Sequence, residues 1–246
     1  MPPSPHDPSG GWNASAEAWI RFVDKGDANR THLLDPLMLE LCGDVRGRRV
    51  LDIGCGEGRF CRMLKAQGAK VTGIEPATRL REEARRRDPT GTYLAHDAAK
   101  LPLADASFDL CVSYIALVDI ADHVRAIAEM ARVLVPGGRV VFSNLQPYVT
   151  TNSKGWHKDA RGQKLHFPID LYAVPRPLVG RWHHIEVTQY HRPLADIMSA
   201  FLGAGLVLRR FLEPVPSAEA MREYPAFEDH ARVPLFVVME WTKPLS

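Results

Sequence analysis

The sequence predicts a doubly wound α/β fold between residues 49 and 143, a mostly parallel sheet with helices on both faces. Three observations carry this. Short apolar runs alternate with helical stretches, the signature of βαβ units. The runs are continuously apolar, as in strands covered on both faces. The first of them leads into a glycine-rich turn, Gly54-Cys55-Gly56-Glu57-Gly58, ahead of a helix.

Taken in order, residues 1–11 read as a disordered arm and residues 12–42 as helical, with Trp19, Ile20, Phe22 and Val23 on one face. Asp35-Pro36 opens a second helical stretch with a cap residue and a proline at the first helical position. Val50–Ile53 is the first strand, and Phe60, Met63 and Leu64 share a face of the helix after it. Residues 70–75 form a second strand closed by Pro76, residues 78–87 a charged helix, 92–96 a third strand and 108–113 a fourth. Val124, Ile127, Ala128, Ala131 and Leu134 give 122–135 an amphipathic helical pattern. Pro136-Gly137-Gly138 then turns the chain into a fifth strand, 139–143.

Residues 145–192 break the alternation. They carry seven Lys and Arg against three Asp and Glu, with many aromatic and His residues, and read as an insertion that covers something. Helical spacing returns at 193–204, and strands at 206–212 and 233–242 close the sequence. The expected organisation is the arm and then one domain, 12–246, divided into N-terminal helices (12–48), a core (49–144), the insertion (145–192) and a C-terminal helix with strands (193–246).

The 246 residues are 46% hydrophobic, and 31 Lys and Arg against 29 Asp and Glu leave a net charge of +2. That is too apolar for intrinsic disorder and too weakly charged for a dedicated nucleic-acid binder. No apolar run approaches the roughly 20 residues that span a bilayer, and MPPSPHDPSGG lacks the basic and apolar regions of an export signal. The cysteines Cys42, Cys55, Cys61 and Cys111 form no CxxC pair, which suits free thiols in a reducing cytoplasm.

A glycine turn after the first strand is where open α/β sheets bind ligands. Three acids sharpen the expectation. Glu75, at the end of the second strand, suits the two hydroxyls of a ribose. Asp97, just past the third strand, suits the exocyclic amine of adenine. Asp52, inside the first strand, is costly to bury without a cationic partner. Together they outline a nucleoside carrying positive charge. A pyrophosphate-bearing dinucleotide wants GxGxxG, whereas the glycines here read GxGxG, with Asp52 and Glu57 beside them. A phosphate-free cofactor with a sulfonium and an ammonium fits better, namely S-adenosylmethionine.

Val50-Leu51-Asp52-Ile53-Gly54-Cys55-Gly56-Glu57-Gly58 resembles the first motif of class I S-adenosylmethionine-dependent methyltransferases. Val71–Pro76, Leu101–Asp109 and Arg132–Gly138 resemble later blocks of that family in the expected order. The resemblance implies a Rossmann-like seven-stranded sheet with an antiparallel last strand. It also implies roles for residues. The backbone of Gly54, Cys55 and Gly56 would run beneath the methionine part, Asp52 would hold its amine, and Glu75 would take the ribose with Pro76 near the adenine. Asp97 and the Ala98 amide would read the adenine edge, Ser113 would lie near the methionine end, and Arg30 would meet the carboxylate.

The expected acceptor is a small molecule, methylated on oxygen rather than nitrogen or carbon. Nucleic-acid amino-methylating enzymes resemble one another in an Asn/Asp-Pro-Pro-Tyr/Phe motif, where this chain has Ser113-Tyr114-Ile115-Ala116. Cys111 lacks the preceding proline of the cytosine C5 enzymes. Neither a nucleic acid nor a membrane is an expected partner. The insertion holds His157, His166, His183, His184 and His191, without the spacing of a metal site. His191 and Tyr190, which lead into the next helix, are the candidate catalytic residues, because a His near neutrality can take the acceptor's proton. Trp12 and Trp19 are expected to form the opposite wall. The alternatives are an NAD-dependent oxidoreductase, disfavoured by GxGxG, Asp52 and Asp97, and a catalytically silent S-adenosylmethionine-binding protein.

Overall fold

The computed structural model describes residues 9–151 and 155–245. Helix α1 (Trp12–Asp24) is followed by a π-helical turn, Asn29–Leu34, that runs into α2 (Asp35–Cys42). Then come β1 (Arg49–Ile53), α3 (Arg59–Ala66), β2 (Lys70–Ile74), α4 (Thr78–Arg87), β3 (Thr92–Leu94), β4 (Phe108–Tyr114), α5 (His123–Val133) and β5 (Leu134–Leu145). The insertion contains β6 (His157–Lys158), β7 (Lys164–His166), β8 (Arg176–Trp182) and β9 (Ile185–His191). It leads to α6 (Leu194–Gly203), β10 (Val207–Leu212), α7 (Ala218–Glu223), α8 (Glu228–Arg232) and β11 (Phe236–Thr242).

Seven strands form one sheet in the order β3-β2-β1-β4-β5-β11-β10. Pairs on the β3 side of β11 are parallel, and β11 runs antiparallel to both β5 and β10. The expected doubly wound sheet with an antiparallel last strand is therefore present. Chain order reverses between β1 and β4, which opens a crevice at their carboxyl ends.

Alternate residues of the same strands serve opposite faces. Leu51, Ile53, Cys111, Val140 and Phe142 pack with Ile127 and Met130 of α5 and Phe201 of α6. Val50, Leu110, Val112 and Val141 pack with Met38 and Leu41 of α2 and with Phe60 and Leu64 of α3. Coverage on both faces is why these strands read as unbroken apolar runs.

Several boundaries differ from the sequence expectation. β3 stops at Leu94, leaving Ala95 and His96 outside it. β5 begins at Leu134, and its register against β4 shifts so that Phe108 faces Leu134 but Leu110 faces Arg139, taking Pro136-Gly137-Gly138 into the strand as an irregularity. Residues 1–8 of the expected arm lie outside the described residues. Gly10, by contrast, is held by the chain, its carbonyl accepting from the Thr188 N–H at 2.7 Å. The insertion is built as two hairpins, β6–β7 and β8–β9. Among the described residues no helix is long and apolar enough to cross a membrane.

Candidate cofactor and acceptor site

The glycine turn sits at the tip of β1. The N–H groups of Gly54 and Cys55 both donate to the Ile74 carbonyl, at 2.9 and 3.0 Å, tying the turn to the end of β2. Gly54 has φ of +69°, and a Cβ there would lie 2.5 Å from that of Ala116 in the segment after β4. Only glycine meets both conditions.

Asp52 and Glu75 are brought together at this turn, both buried. Asp52 Oδ2 accepts from the Cys61 thiol at 3.2 Å. Burial raises its pKa to about 6, against the Cys61 bond and the positive charge of Arg30. Glu75 accepts from the Gly56 N–H at 2.9 Å through Oε2 and from the Ala77 N–H at 2.8 Å through Oε1. Burial raises it to about 7 even so. Each oxygen keeps a second lone pair for a ligand donor. Pro76 is exposed and Ala98 buried. Asp97 is not drawn into the cluster; it is exposed, and its Oδ1 accepts from the Ala99 N–H at 2.8 Å. Ser113 at the end of β4 is fully buried, and its Oγ has no hydrogen-bond partner.

Arg30 reaches the same region from the π-helical turn, a form frequent at functional sites. Its guanidinium carbon lies 4.7 Å from the Trp19 ring centroid and 4.9 Å from that of Tyr114. Tyr114 is fixed in turn by its hydroxyl, which donates to Asp35 at 2.8 Å, and Arg59 grips both oxygens of Asp35 at 2.7 and 2.8 Å.

The cap is made by α1 and the β8–β9 hairpin. Trp19 Nε1 donates to Glu57 Oε2 of the glycine turn at 2.9 Å. Trp12 stands edge-on to Trp19 at 5.4 Å and to Trp182 of β8 at 6.1 Å. Trp12 and Trp19, expected to form a wall of the acceptor site, pack against each other and against one tryptophan from the insertion.

The catalytic candidates are placed differently from each other. His191 is fully buried, with Nε2 at 2.8 Å from the Tyr172 carbonyl and Nδ1 at 2.6 Å from the Thr150 hydroxyl. The carbonyl requires a donor, so Nε2 carries hydrogen, and Nδ1 meets a Thr150 hydroxyl that also donates to the Pro147 carbonyl at 2.8 Å; both nitrogens are engaged within the chain. Ile185, Val187, Gln189 and His191 form the buried side of β9, so Tyr190 faces the other way, with Arg192 5.0 Å from its ring centroid.

Two residues that pattern reasoning passed over complete the site. Arg192 is buried and donates to the carbonyls of Leu117, Ile120 and Ala121, clamping the segment after β4. Asp119 in that segment accepts from Trp12 Nε1 at 3.2 Å and Gln189 Nε2 at 3.3 Å. Arg192 was visible only as a charge directly after a strand. Asp119 belonged to no motif.

The charge balance tests the cofactor. Asp52, Glu75 and Asp119 are all pushed toward neutrality by burial, and Arg30 is a cation whose field reaches Asp52 and Asp119. Glu57 is also buried, with one oxygen lacking a hydrogen-bond partner. Such a site suits a cationic nucleoside and opposes a pyrophosphate.

Comparison with known proteins agrees. Residues 51–142 match a family described as a methyltransferase domain. The crystal structure of an S-adenosylmethionine-dependent methyltransferase from Mesorhizobium loti superposes with a TM-score of 0.79 at 30% identity, over 89% of this chain and 99% of that one. The chain belongs to the S-adenosylmethionine-dependent methyltransferases. Within that family it is similar to a malonyl-[acyl-carrier protein] O-methyltransferase from Serratia marcescens, 39% identical over 40% of this chain and 39% of the relative. It is also similar to a demethylmenaquinone methyltransferase from Beutenbergia cavernae, 33% identical over 56% of this chain and 58% of the relative. The matches thus span about two fifths to three fifths of these curated methyltransferases. The dehydrogenase reading is set aside.

Proposed function

We propose that the protein transfers a methyl group from S-adenosylmethionine to a hydroxyl or carboxyl oxygen of a small-molecule acceptor. The observation that carries this is the pairing of Asp52 and Glu75 at neighbouring strands around the glycine turn, both buried and both raised in pKa by burial despite the fields of Arg30 and Arg81. In this reading Asp52 faces the cofactor's amine and Arg30 its carboxylate. Glu75 takes the ribose hydroxyls, with Pro76 beside the adenine, while Asp97 and the Ala98 N–H read the adenine edge. Gly54, Cys55 and Gly56 pass beneath the methionine, and Ser113 lies at its far end.

The cofactor supplies a methyl already activated on a sulfonium. The remaining task for the chain is alignment and exclusion of water, and alignment alone contributes about 7–11 kcal/mol. The aromatic wall of Trp12, Trp19 and Trp182 serves the second need. Because His191 is bound at both nitrogens, its part in this reading is to fix Thr150 and Tyr172 beside the pocket. Oxygen as the target is supported by the name of the Serratia marcescens relative, an O-methyltransferase.

The test is incubation of the protein with isotopically methyl-labelled cofactor and a fractionated small-molecule extract, followed by mass spectrometry. A labelled methyl ether or ester supports the reading. Label found only on nitrogen or carbon replaces the oxygen assignment, and no label despite cofactor binding favours a silent binding protein.

A further inference from the structure

Asp119 gathers three parts of the chain that are far apart in sequence. One oxygen accepts from Trp12 Nε1 of α1 at 3.2 Å, the other from Gln189 Nε2 of β9 at 3.3 Å. The residue itself belongs to the turn after β4, which Arg192 clamps through three carbonyls. Helix α1 and the hairpin are also joined directly. The Ser15 hydroxyl donates to the Glu186 carbonyl at 2.9 Å and accepts from the Glu186 N–H at 3.0 Å, and Gly10 pairs with Thr188. Helix and hairpin therefore form one cap. That cap meets the core at two carboxylates, Glu57 under Trp19 and Asp119 under Trp12.

We propose that Asp119 is a positioning residue for methyl transfer, latching α1 and the β8–β9 hairpin as one lid over the cleft and so setting its acceptor-side wall. The inference rests on the methyltransferase reading for its purpose, but the latch itself is a property of the chain. Gly180 of β8 supports it independently: a Cβ there would fall 2.6 Å from Gln189 Oε1, so the glycine leaves room for the amide that reaches Asp119. The latch is also sensitive to pH. Burial pushes Asp119 up to about 7, and the charge of Glu75 adds to this. The hydrogen bonds from Gln189 and Trp12 oppose it, as does Arg30, and Arg192 faces it from beyond β9. A carboxyl whose pKa is higher when covered than when solvated takes up a proton on closing, so the lid is tightest below about pH 7 and loosens as pH rises through it.

The experiment is hydrogen exchange on the cofactor-free protein at pH 6 and pH 8, corrected for the intrinsic rate, comparing the wild type with Asp119→Asn, Trp12→Phe and Gly180→Ala. In the wild type, amides of 12–24 and 185–191 exchange faster at pH 8. In Asp119→Asn they exchange about tenfold faster than wild type at pH 6, roughly one hydrogen bond's worth, and the difference between the two pH values disappears. Trp12→Phe keeps an aromatic ring, loses the donor and shows a similar release at pH 6, and Gly180→Ala shows a smaller one. If Asp119→Asn fails to fold, Trp12→Phe and Gly180→Ala decide. Unchanged exchange in α1 and β9, or an increase spread equally over β4 and β5, overturns the latch. Calorimetric binding of S-adenosylhomocysteine to the wild type is measured separately; its absence removes the methyltransferase reading and leaves the latch result standing.

Discussion

The sheet around β1, β2 and β4 and the cap above it are held by different physics. The sheet is covered on both faces by helices, and its central side chains, Leu51, Ile53, Val112 and Phe142, are fully buried. The cap is a two-stranded hairpin and one helix, joined to the core by indole-to-carboxylate hydrogen bonds and by aromatic edges. Apolar burial on two faces is stiff and tolerates little change. Polar stitches at a cleft make and break at small cost. The difference matches where the family resemblance falls. The match to the methyltransferase-domain family covers residues 51–142, most of the sheet and helices that pack on it.

The largest expected effect falls on the stiff half. Gly54→Val combines a left-handed backbone, about 1–2 kcal/mol, with overpacking against Ala116, about 1–3 kcal/mol. Denaturant unfolding should show a loss of about 2–5 kcal/mol, whereas a loss confined to cofactor affinity would mean that the turn is adaptable. Glu75→Ala, next in size, should weaken S-adenosylhomocysteine binding by about 1–3 kcal/mol by calorimetry, since it leaves polar partners unmatched. In the cap, His191→Gln should cost about 0.5–1.5 kcal/mol of stability and leave cofactor affinity at the wild-type value. A fall in affinity comparable with that of Glu75→Ala would erase the contrast between the two regions.

The smallest effect is on pH. Asp52 and Glu75 hold protons more tightly in the fold, at about 6 and 7, than in the unfolded chain. Their ionisation therefore penalises the cofactor-free fold progressively as pH rises from about 4 through 7. Scanning calorimetry should show the Tm difference between protein with and without S-adenosylmethionine widening from pH 6 to pH 8, and narrowing in Glu75→Gln.

The stiff half was also the legible half. Helix 78–87 and the strands from β1 to β4 follow from periodicity and from the glycine and proline punctuation between them. The buried Asp52 announced a partner, and the structure supplies the Cys61 thiol together with the field of Arg30. The cap resisted reading for identifiable reasons. The β8–β9 turn uses His183 and His184 at φ of 44° and 66°, where an Asn-Gly pair would have been the signal. Phe22 stacks on His183 at 4.8 Å and helps hold that turn. Pro177 within β8 argues against a strand, and here it lies in a two-stranded ribbon. Asp119 was invisible because its partners, Trp12 and Gln189, come together only through tertiary packing. Tyr190 and His191 looked like a pair in sequence, yet strand alternation sends them to opposite sides.

Titration calorimetry of the purified protein with S-adenosylmethionine and, separately, with NAD tests the central claim most directly. Saturable one-to-one binding of the sulfonium nucleoside, abolished at high ligand excess by S-adenosylhomocysteine, together with no heat from the dinucleotide, is the predicted result. Binding of NAD in its place would contradict the assignment of Asp52 and Glu75.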